Sequence, residues 1–297
     1  MTIKPTWKST LKALLYLAPA LVILIVFNIY PIIKSFFMAF YTDYDFYNDV
    51  VFERGFGNFV TLFQDANFLK SVGNTFLFVL GVVPISIILS LFIAILLNSK
   101  IKLLGFFRTI YFLPFVTSVV AVAIVWSWIF HSDYGLLNYF LGLFGMDAIQ
   151  WLTDPNYSML ALIILSVWKG LGFNIIIFLA GLQNINQQYY LAAKVDGASS
   201  WSRFMNVTVP LLSPTLFFIS IISIINTFKV FDEIFALFNG KPGPANSTLT
   251  VVYYVYQKFY EEWEFGLASA AAFVLFIIVF IFTLIQLSFG KKFVHYQ

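Results

Sequence analysis

The sequence predicts an all-α integral membrane protein with six transmembrane helices, and three observations predict it. Of 297 residues, 61% are hydrophobic and only 10% are charged, against about 25% charged in a soluble domain. A chain so poor in charge cannot cover a water-facing surface with polar groups, so lipid must be its main solvent. Second, the apolar residues gather in runs long enough to cross about 30 Å of hydrocarbon at about 1.5 Å per helical residue. Third, lysine and arginine concentrate in alternate connections, which is the asymmetry that orients spans in a membrane. Residues 1–297 are expected to form a single transmembrane domain.

The first span is expected over Leu14–Phe40. Lys4, Lys8 and Lys12 precede it, and Ala18-Pro19-Ala20 resembles the cleavage site of a secretory leader. That triplet lies near the start of an apolar run that continues to Phe40, so the segment is expected to stay as an uncleaved span. The others are expected at Phe76–Leu97, Thr109–Phe130, Ser158–Leu182, Pro214–Phe238 and Gly266–Leu287. Pro19, Pro31, Pro84 and Pro114 fall in or near these runs, which spans tolerate when neighbouring groups satisfy the freed backbone.

Charge then sets the sides. Lys4, Lys8, Lys12, Lys100, Lys102, Arg108, Lys194, Arg203, Lys291 and Lys292 share one side, with Asp196 as their only acid. Acids such as Asp43, Asp45, Glu53, Asp133, Asp154 and Glu261 crowd the other, against Arg54, Lys70, Lys241 and Lys258. The excess of basic residues places both termini in the cytoplasm, consistent with six spans. Cysteine is absent, which excludes disulfides and thiolate chemistry, and His131 and His295 stand too far apart to form a helical metal pair. No Gly-x-x-x-x-Gly-Lys-Ser/Thr loop is present to cradle nucleotide phosphates.

One cytoplasmic connection, residues 183–212, stands out. Gln187–Val195 has the composition of a short helix, and Gly197 can take the positive φ that ends one. Asp196 or Ser199 can cap a second helix. There Trp201, Phe204, Met205 and Thr208 recur at helical spacing as one stripe, and Pro210 and Pro214 are expected to stop it. An amphipathic elbow resting on lipid headgroups and a plug for the groove of a soluble partner, anchored by Trp201 and Phe204, both fit.

Polar groups inside spans are costly and mark functional sites by default. Lys34 can snorkel to the interface. Lys229, Asp232 and Glu233 fall at i, i+3 and i+4, so they can pair along one helix face. Alternatively Asn226, Lys229 and Asp232 line a polar route through the bundle, with Lys169 and Asn174 of the fourth span as further candidates. Trp126, Trp128 and Trp168 suit packing or an interface belt, and can also stack on sugar faces. Ala268, Ala270, Ala271 and Ala272 allow close helix packing.

The stretch Tyr190-Leu191-Ala192-Ala193-x-x-Asp196-Gly197-Ala198, followed by Phe204, Val209-Pro210 and Pro214, resembles the cytoplasmic signature loop of permease subunits in binding-protein-dependent ATP-binding-cassette importers. "WKGLGFNIIIFLAGLQNI" (Trp168 to Ile185), "FFRTIYFLP", "YGLLNYFLGLFG" and "FGLASAAAFVLFIIVF" are similar to the carbohydrate-uptake branch, the maltose and glycerol-phosphate type. The resemblance implies a prokaryotic inner-membrane subunit that moves a sugar or oligosaccharide by alternating access and does no covalent chemistry. It further implies a second, related permease, a cytoplasmic ATPase dimer that carries the ATP and Mg, and an extracytoplasmic solute-binding protein, with no nucleic acid involved. Tyr190, Leu191, Ala192, Ala193, Asp196, Gly197, Ala198, Trp201, Phe204 and Pro210 would then form the ATPase-coupling loop. Trp168, Lys169, Asn174, Asn226, Lys229 and Asp232 are the candidate substrate path. The family usually has glutamate where this chain has Leu191, so either the contact there is apolar or the companion permease supplies the polar one. Cargo of the glycerol-phosphate type, or a secondary transporter, are the competing expectations.

Overall fold

The computed structural model describes residues 7–98 and 104–293. Lys4, Lys100, Lys102 and His295 lie outside the described residues. The chain divides into two compact units, one comprising residues up to 65 with 255–274, the other 66–254 with the residues from 275 onward.

In the first unit, helices α1 (Trp7–Leu24) and α2 (Tyr30–Met38) are joined by a wider π turn at Ile25–Ile29. Together they make an apolar rod, Ser9–Met38, long enough to span a membrane. The π turn ends two residues before Pro31. A proline lacks the N–H for the regular ladder and its ring crowds the carbonyl four residues back. A turn one residue wider just before it relieves that crowding and lets the helix continue.

Strands β1 (Tyr41–Asp45) and β2 (Val50–Arg54) then form an antiparallel hairpin, which no apolar alternation announced. Its turn is held by Asp45, whose carboxylate accepts from the Tyr47 and Asn48 backbone at 2.9 and 3.2 Å and from the Asn48 amide at 2.7 Å. The Tyr44 hydroxyl donates to Asp49 at 2.7 Å. Helix α3 (Gly57–Gln64) follows, and its Asn58 amide donates to the Ala39 and Tyr41 carbonyls. Lys258, in a π turn at Gln257–Glu261, bonds Glu262 at 2.6 Å and Glu264 at 3.0 Å. Burial works against its charge, but the two carboxylates prevail and hold the ammonium above its ordinary range.

The second unit is built on α4 (Ala66–Leu97), α5 (Leu104–Val116), α6 (Val119–Ile129), α7 (Leu136–Leu143) and α8 (Pro155–Asn184). After these come α9 (Gln187–Val195), α10 (Ser200–Arg203), a π turn at Phe204–Thr208, α11 (Val209–Phe228), α12 (Asp232–Leu237) and, as far as Tyr254, α13 (Val251–Tyr256). The last helix, α14 (Phe265–Phe293), supplies this unit with its residues from Leu275. Helices α4, α8 and α11 share a core that includes Ala94, Ile175, Phe178, Leu179, Leu212 and Ile219. Gly172 lets α8 touch the α5 backbone: a Cβ there would overlap the Tyr111 carbonyl oxygen and lie 3.0 Å from the Phe112 Cα. Small residues do this work in membrane bundles.

Among the described residues five helices are long and apolar enough to cross a membrane, and a bent pair makes six. The runs expected at Phe76–Leu97, Ser158–Leu182 and Gly266–Leu287 lie within α4, α8 and α14. The run expected at Leu14–Phe40 corresponds to the rod Ser9–Met38, and the remaining two need correction. Thr109–Phe130 is not one straight span: α5 and α6 meet at 99°, with Ser118 extended between them (ψ 133°). Pro214–Phe238 is displaced: the helix runs Ser200–Phe228 and breaks at residues 229–231 before α12. Pro210 and Pro214 therefore do not stop the helix. The π turn at Phe204–Thr208 ends two residues before Pro210, as its counterpart does before Pro31, and carries the helix through.

Candidate functional site

The connection over residues 183–212 forms the expected elbow. Asn186 caps α9 by accepting from the Gln188 backbone N–H at 2.9 Å. Gly197, at φ +74°, closes it: Ala198 N–H reaches the Ala193 carbonyl at 2.9 Å and Gly197 N–H that of Lys194 at 3.1 Å. That pair of bonds is the Schellman ending, which needs the left-handed conformation that glycine adopts freely. Of the two possible caps for the next helix, Ser199 serves, accepting from the Ser202 N–H at 3.2 Å.

Leu191, Ala192, Asp196, Gly197 and Trp201 are exposed, while Ala193, Ala198, Phe204 and Pro210 are half-buried. Val195 is 87% exposed and Trp201 70%, so the elbow displays apolar side chains at its tip. Trp201 rests on Phe204 with ring centroids 5.5 Å apart. The stripe expected from Trp201 to Thr208 does not face one way, since Thr208 is buried and Trp201 is not. The extra residue in the π turn shifts the register, so positions seven apart no longer align. Half-buried Tyr190 packs against the helix core and its hydroxyl meets the Thr208 hydroxyl at 3.1 Å, tying α9 to the π turn.

A cavity of about 370 Å³ opens among α4, α5, α8, α11 and α12, at the small end of the about 300–1,000 Å³ typical of ligand pockets. Lys169, Asn174, Asn226, Lys229 and Asp232 all line it. Five of the six residues expected on the path are thus brought together from three helices and a helix break. The sixth, Trp168, faces a neighbouring apolar groove, where it meets Trp126 edge-on at 5.5 Å.

The charges are arranged by the break. Lys229 ends α11, and Asp232 and Glu233 begin α12, each at the helix end whose dipole favours its sign. The pairing of Lys229 with Asp232 and Glu233 along one helix face is corrected, because no continuous helix passes through them. Glu233 instead binds Lys169 of α8 at 2.8 Å, with both side chains mostly buried. Within the cavity Asn174 donates to the Ser86 hydroxyl at 2.9 Å, and Phe115 stacks on Phe173 at 5.2 Å. Ser86, Ser166 and Glu233 line the cavity without having been singled out as path residues. A lone serine in an apolar run carries little signal, because its hydroxyl can satisfy itself on the preceding turn.

Opposite the break, the loop before α13 is stapled to α4. Lys70 donates to the Ala245 carbonyl at 2.6 Å, and Asn74 to the Asn246 and Leu249 carbonyls at 3.1 and 3.0 Å. The Thr250 hydroxyl donates to the Val230 carbonyl at 3.1 Å, satisfying one backbone group that the break sets free.

Residues 86–295, more than half of the chain, match the family described as binding-protein-dependent transport system inner membrane component. The lactose transport system permease protein of Rhizobium radiobacter is 38% identical over 276 residues, covering 92% of this chain and 91% of that one. The trehalose/maltose transport system permease protein of Thermococcus litoralis is 32% identical over 291 residues, 98% and 97% of the two chains. Among solved structures, a chain of a bacterial ATP-binding-cassette transporter involved in import of the acidic polysaccharide alginate superposes with a TM-score of 0.80. It is 26% identical, over 96% of this chain and 98% of its own. A second structure of the bacterial alginate transporter holds an alginate pentasaccharide-bound periplasmic protein and matches equally well. The multi-pass chain described here belongs to the family of inner-membrane components of binding-protein-dependent transport systems.

Proposed function

We propose that this chain is the membrane permease subunit of an ATP-driven importer for a sugar or oligosaccharide, with residues 1–297 acting as one permease domain. The observation that carries the proposal is the unbroken helix Ser200–Phe228. One end carries the exposed elbow, and the other supplies Ile222, Ser223, Asn226 and Thr227 to the cavity. A device that turns events at a soluble partner into opening and closing of a solute route needs such a mechanical link.

In this reading the elbow sits in a cleft of a cytoplasmic ATPase dimer, which carries the ATP and Mg; this chain binds neither. Leu191, Val195 and Trp201 make an apolar contact there, and Asp196 and Gly197 set the bend. Tyr190, Ala192, Ala193, Ala198, Phe204 and Pro210 hold its shape. A second, related permease completes the solute route, and an extracytoplasmic binding protein delivers the cargo. Both termini face the cytoplasm. Lys169, Asn174, Asn226, Lys229 and Asp232 offer donors and acceptors to hydroxyl-rich cargo, with Trp168 at the neighbouring groove. The names of the lactose, trehalose/maltose and alginate relatives support the sugar class.

The test is purification of the importer from its host with this chain tagged. A co-purifying ATPase and a second permease are expected, with ATP hydrolysis stimulated by sugar-loaded binding protein. Leu191→Asp, which puts a charge into an apolar contact, is expected to reduce ATPase recovery about tenfold or more. Full recovery from that variant would remove the proposed contact. A Ser199→Cys variant labelled in intact cells by a membrane-impermeant reagent would place the elbow on the wrong side.

A further inference from the structure

We infer that the cavity is built for an uncharged saccharide and discriminates against one that bears a carboxylate. This rests on the sugar-importer reading and narrows its cargo.

Among the described residues four charged side chains line the cavity, Lys169 and Lys229 against Asp232 and Glu233, so their formal charges cancel. The two cations are not equivalent to free anion sites. Lys169 is engaged by Glu233 at 2.8 Å, and drawing it toward a ligand would leave that carboxylate mostly buried and uncompensated. Lys229 ends a 20-residue helix, whose unpaired carbonyls already favour a cation. Asp232 lines the same wall just beyond the break and would repel an incoming carboxylate. Among the described residues no arginine lines the cavity, so the planar two-pronged donor suited to carboxylates is absent from that wall.

What the wall does offer is neutral. Asn226 and Ser223 supply uncharged donors and acceptors, and the Ser166 hydroxyl is buried without a hydrogen-bond partner. The stacked Phe115 and Phe173 rings give an apolar surface for the C–H face of a sugar. A neutral polyol can exchange its water hydrogen bonds for these groups. A carboxylate would lose its hydration and find Lys229 alone, a single charge that Asp232 of the same wall formally balances.

The experiment measures binding to the intact importer in lipid nanodiscs by equilibrium dialysis. The probes are radiolabelled lactose, maltose and trehalose, each paired with the counterpart whose C6 hydroxymethyl is oxidised to a carboxylate. For whichever sugar binds, the neutral form is expected to bind about tenfold or more tighter than its acid. Asp232→Asn, which makes the cavity net positive, is expected to close that gap about tenfold. If that variant does not fold, Lys229→Gln is the substitute, and should widen the gap instead. Equal or tighter binding of the acids, or a gap unmoved by the variant that folds, overturns the inference while leaving the sugar reading intact. Failure of all three neutral sugars to bind a folded importer overturns the sugar reading and this inference with it.

Discussion

The Lys169–Glu233 pair offers the sharpest test of how the cavity is held together. Its N–O distance is 2.8 Å, and the two side chains are 16% and 19% exposed. Removing one partner of a buried pair costs about 3–5 kcal/mol, because the survivor stays desolvated and unpaired. Partial exposure here lowers that to about 2–3 kcal/mol. The two single variants should not be equal. Glu233→Gln leaves a lysine whose long stem can swing its ammonium toward water. Lys169→Met strands a carboxylate on a short stem at the start of α12, so it should cost more. The double variant Lys169→Met/Glu233→Leu keeps the cavity's formal charge at zero and exchanges a desolvated pair for apolar packing. It should fall within about 1 kcal/mol of wild type, giving a coupling energy of about 3–7 kcal/mol in a double-mutant cycle. The assay is reversible denaturant unfolding of the purified chain in mixed micelles. A double variant that costs the sum of the singles would refute the reasoning, since the ions would then be acting independently.

Further outcomes follow from other contacts. Gly172→Ala should cost about 1–3 kcal/mol in the same assay, because a Cβ there meets the α5 backbone, which cannot rotate away as a side chain can. Gly142→Ala, in α7 with open space around it, is the control and should be neutral or slightly stabilising. Gly197→Val meets no atom, yet φ +74° penalises a β-branched residue by about 1–2 kcal/mol. It should lower sugar-stimulated ATPase activity of the importer, with Gly197→Asn recovering most of it. In the hairpin, the Tyr44 hydroxyl donates to Asp49, which pushes its pKa up from 10.0 to about 12. The folded state therefore holds that proton more tightly, so this stabilisation is complete below pH 10 and is lost as pH rises toward about 12. Asp45 is the reverse case, held below its ordinary 3.8 first by the Asn48 amide and then by backbone N–H groups. Its contribution is complete above that value and fades as pH falls through the lowered one. Ultraviolet titration of tyrosinate in wild type and Tyr44→Phe checks the alkaline phase.

Span existence was legible because lipid imposes a composition that no soluble domain shares. Span continuity was not, and the failures have physical causes. Proline was expected to stop the helix at Pro210, but a wider turn before it removes the clash, and nothing in the residue types of "FMNVT" distinguishes that turn. The bend between α5 and α6 falls at Thr117-Ser118, one polar pair in an apolar run. The hairpin was invisible for the opposite reason: "YTDYDFYNDV" is rich in aspartate and asparagine, which strands avoid, and it is set by bonds to Asp45 and Asp49. The polar residues that line the cavity were largely legible as a set, because a charge or amide inside a span costs too much to be incidental. Their pairing was not. Spacing proposes partners on the same helix, whereas Glu233 found Lys169, 64 positions away in sequence.

The misjudged proline bears most on how the two halves of the site communicate. Had the helix stopped at Pro210, the elbow and the cavity wall would belong to separate elements, and a force on Gly197 could be absorbed by the joint. Instead the 29 residues of Ser200–Phe228 form one rod, about 43 Å long at about 1.5 Å per residue. Its softest point by hydrogen bonding is the π turn, and it is there that the Tyr190 hydroxyl reaches Thr208. That bond ties the first arm of the elbow to the last residue of the soft turn, so a displacement of α9 enters the rod there as well as through α10. At the far end the rod stops at Lys229, where the chain breaks and α12 begins, with Glu233 anchored to α8 through Lys169. The two sides of the break are thus held differently, α12 by an ion pair and the rod by apolar packing against α4 and α8. The difference falls across residues 229–231, which line the cavity, so these are the positions where a movement of the elbow would change the shape that a solute meets.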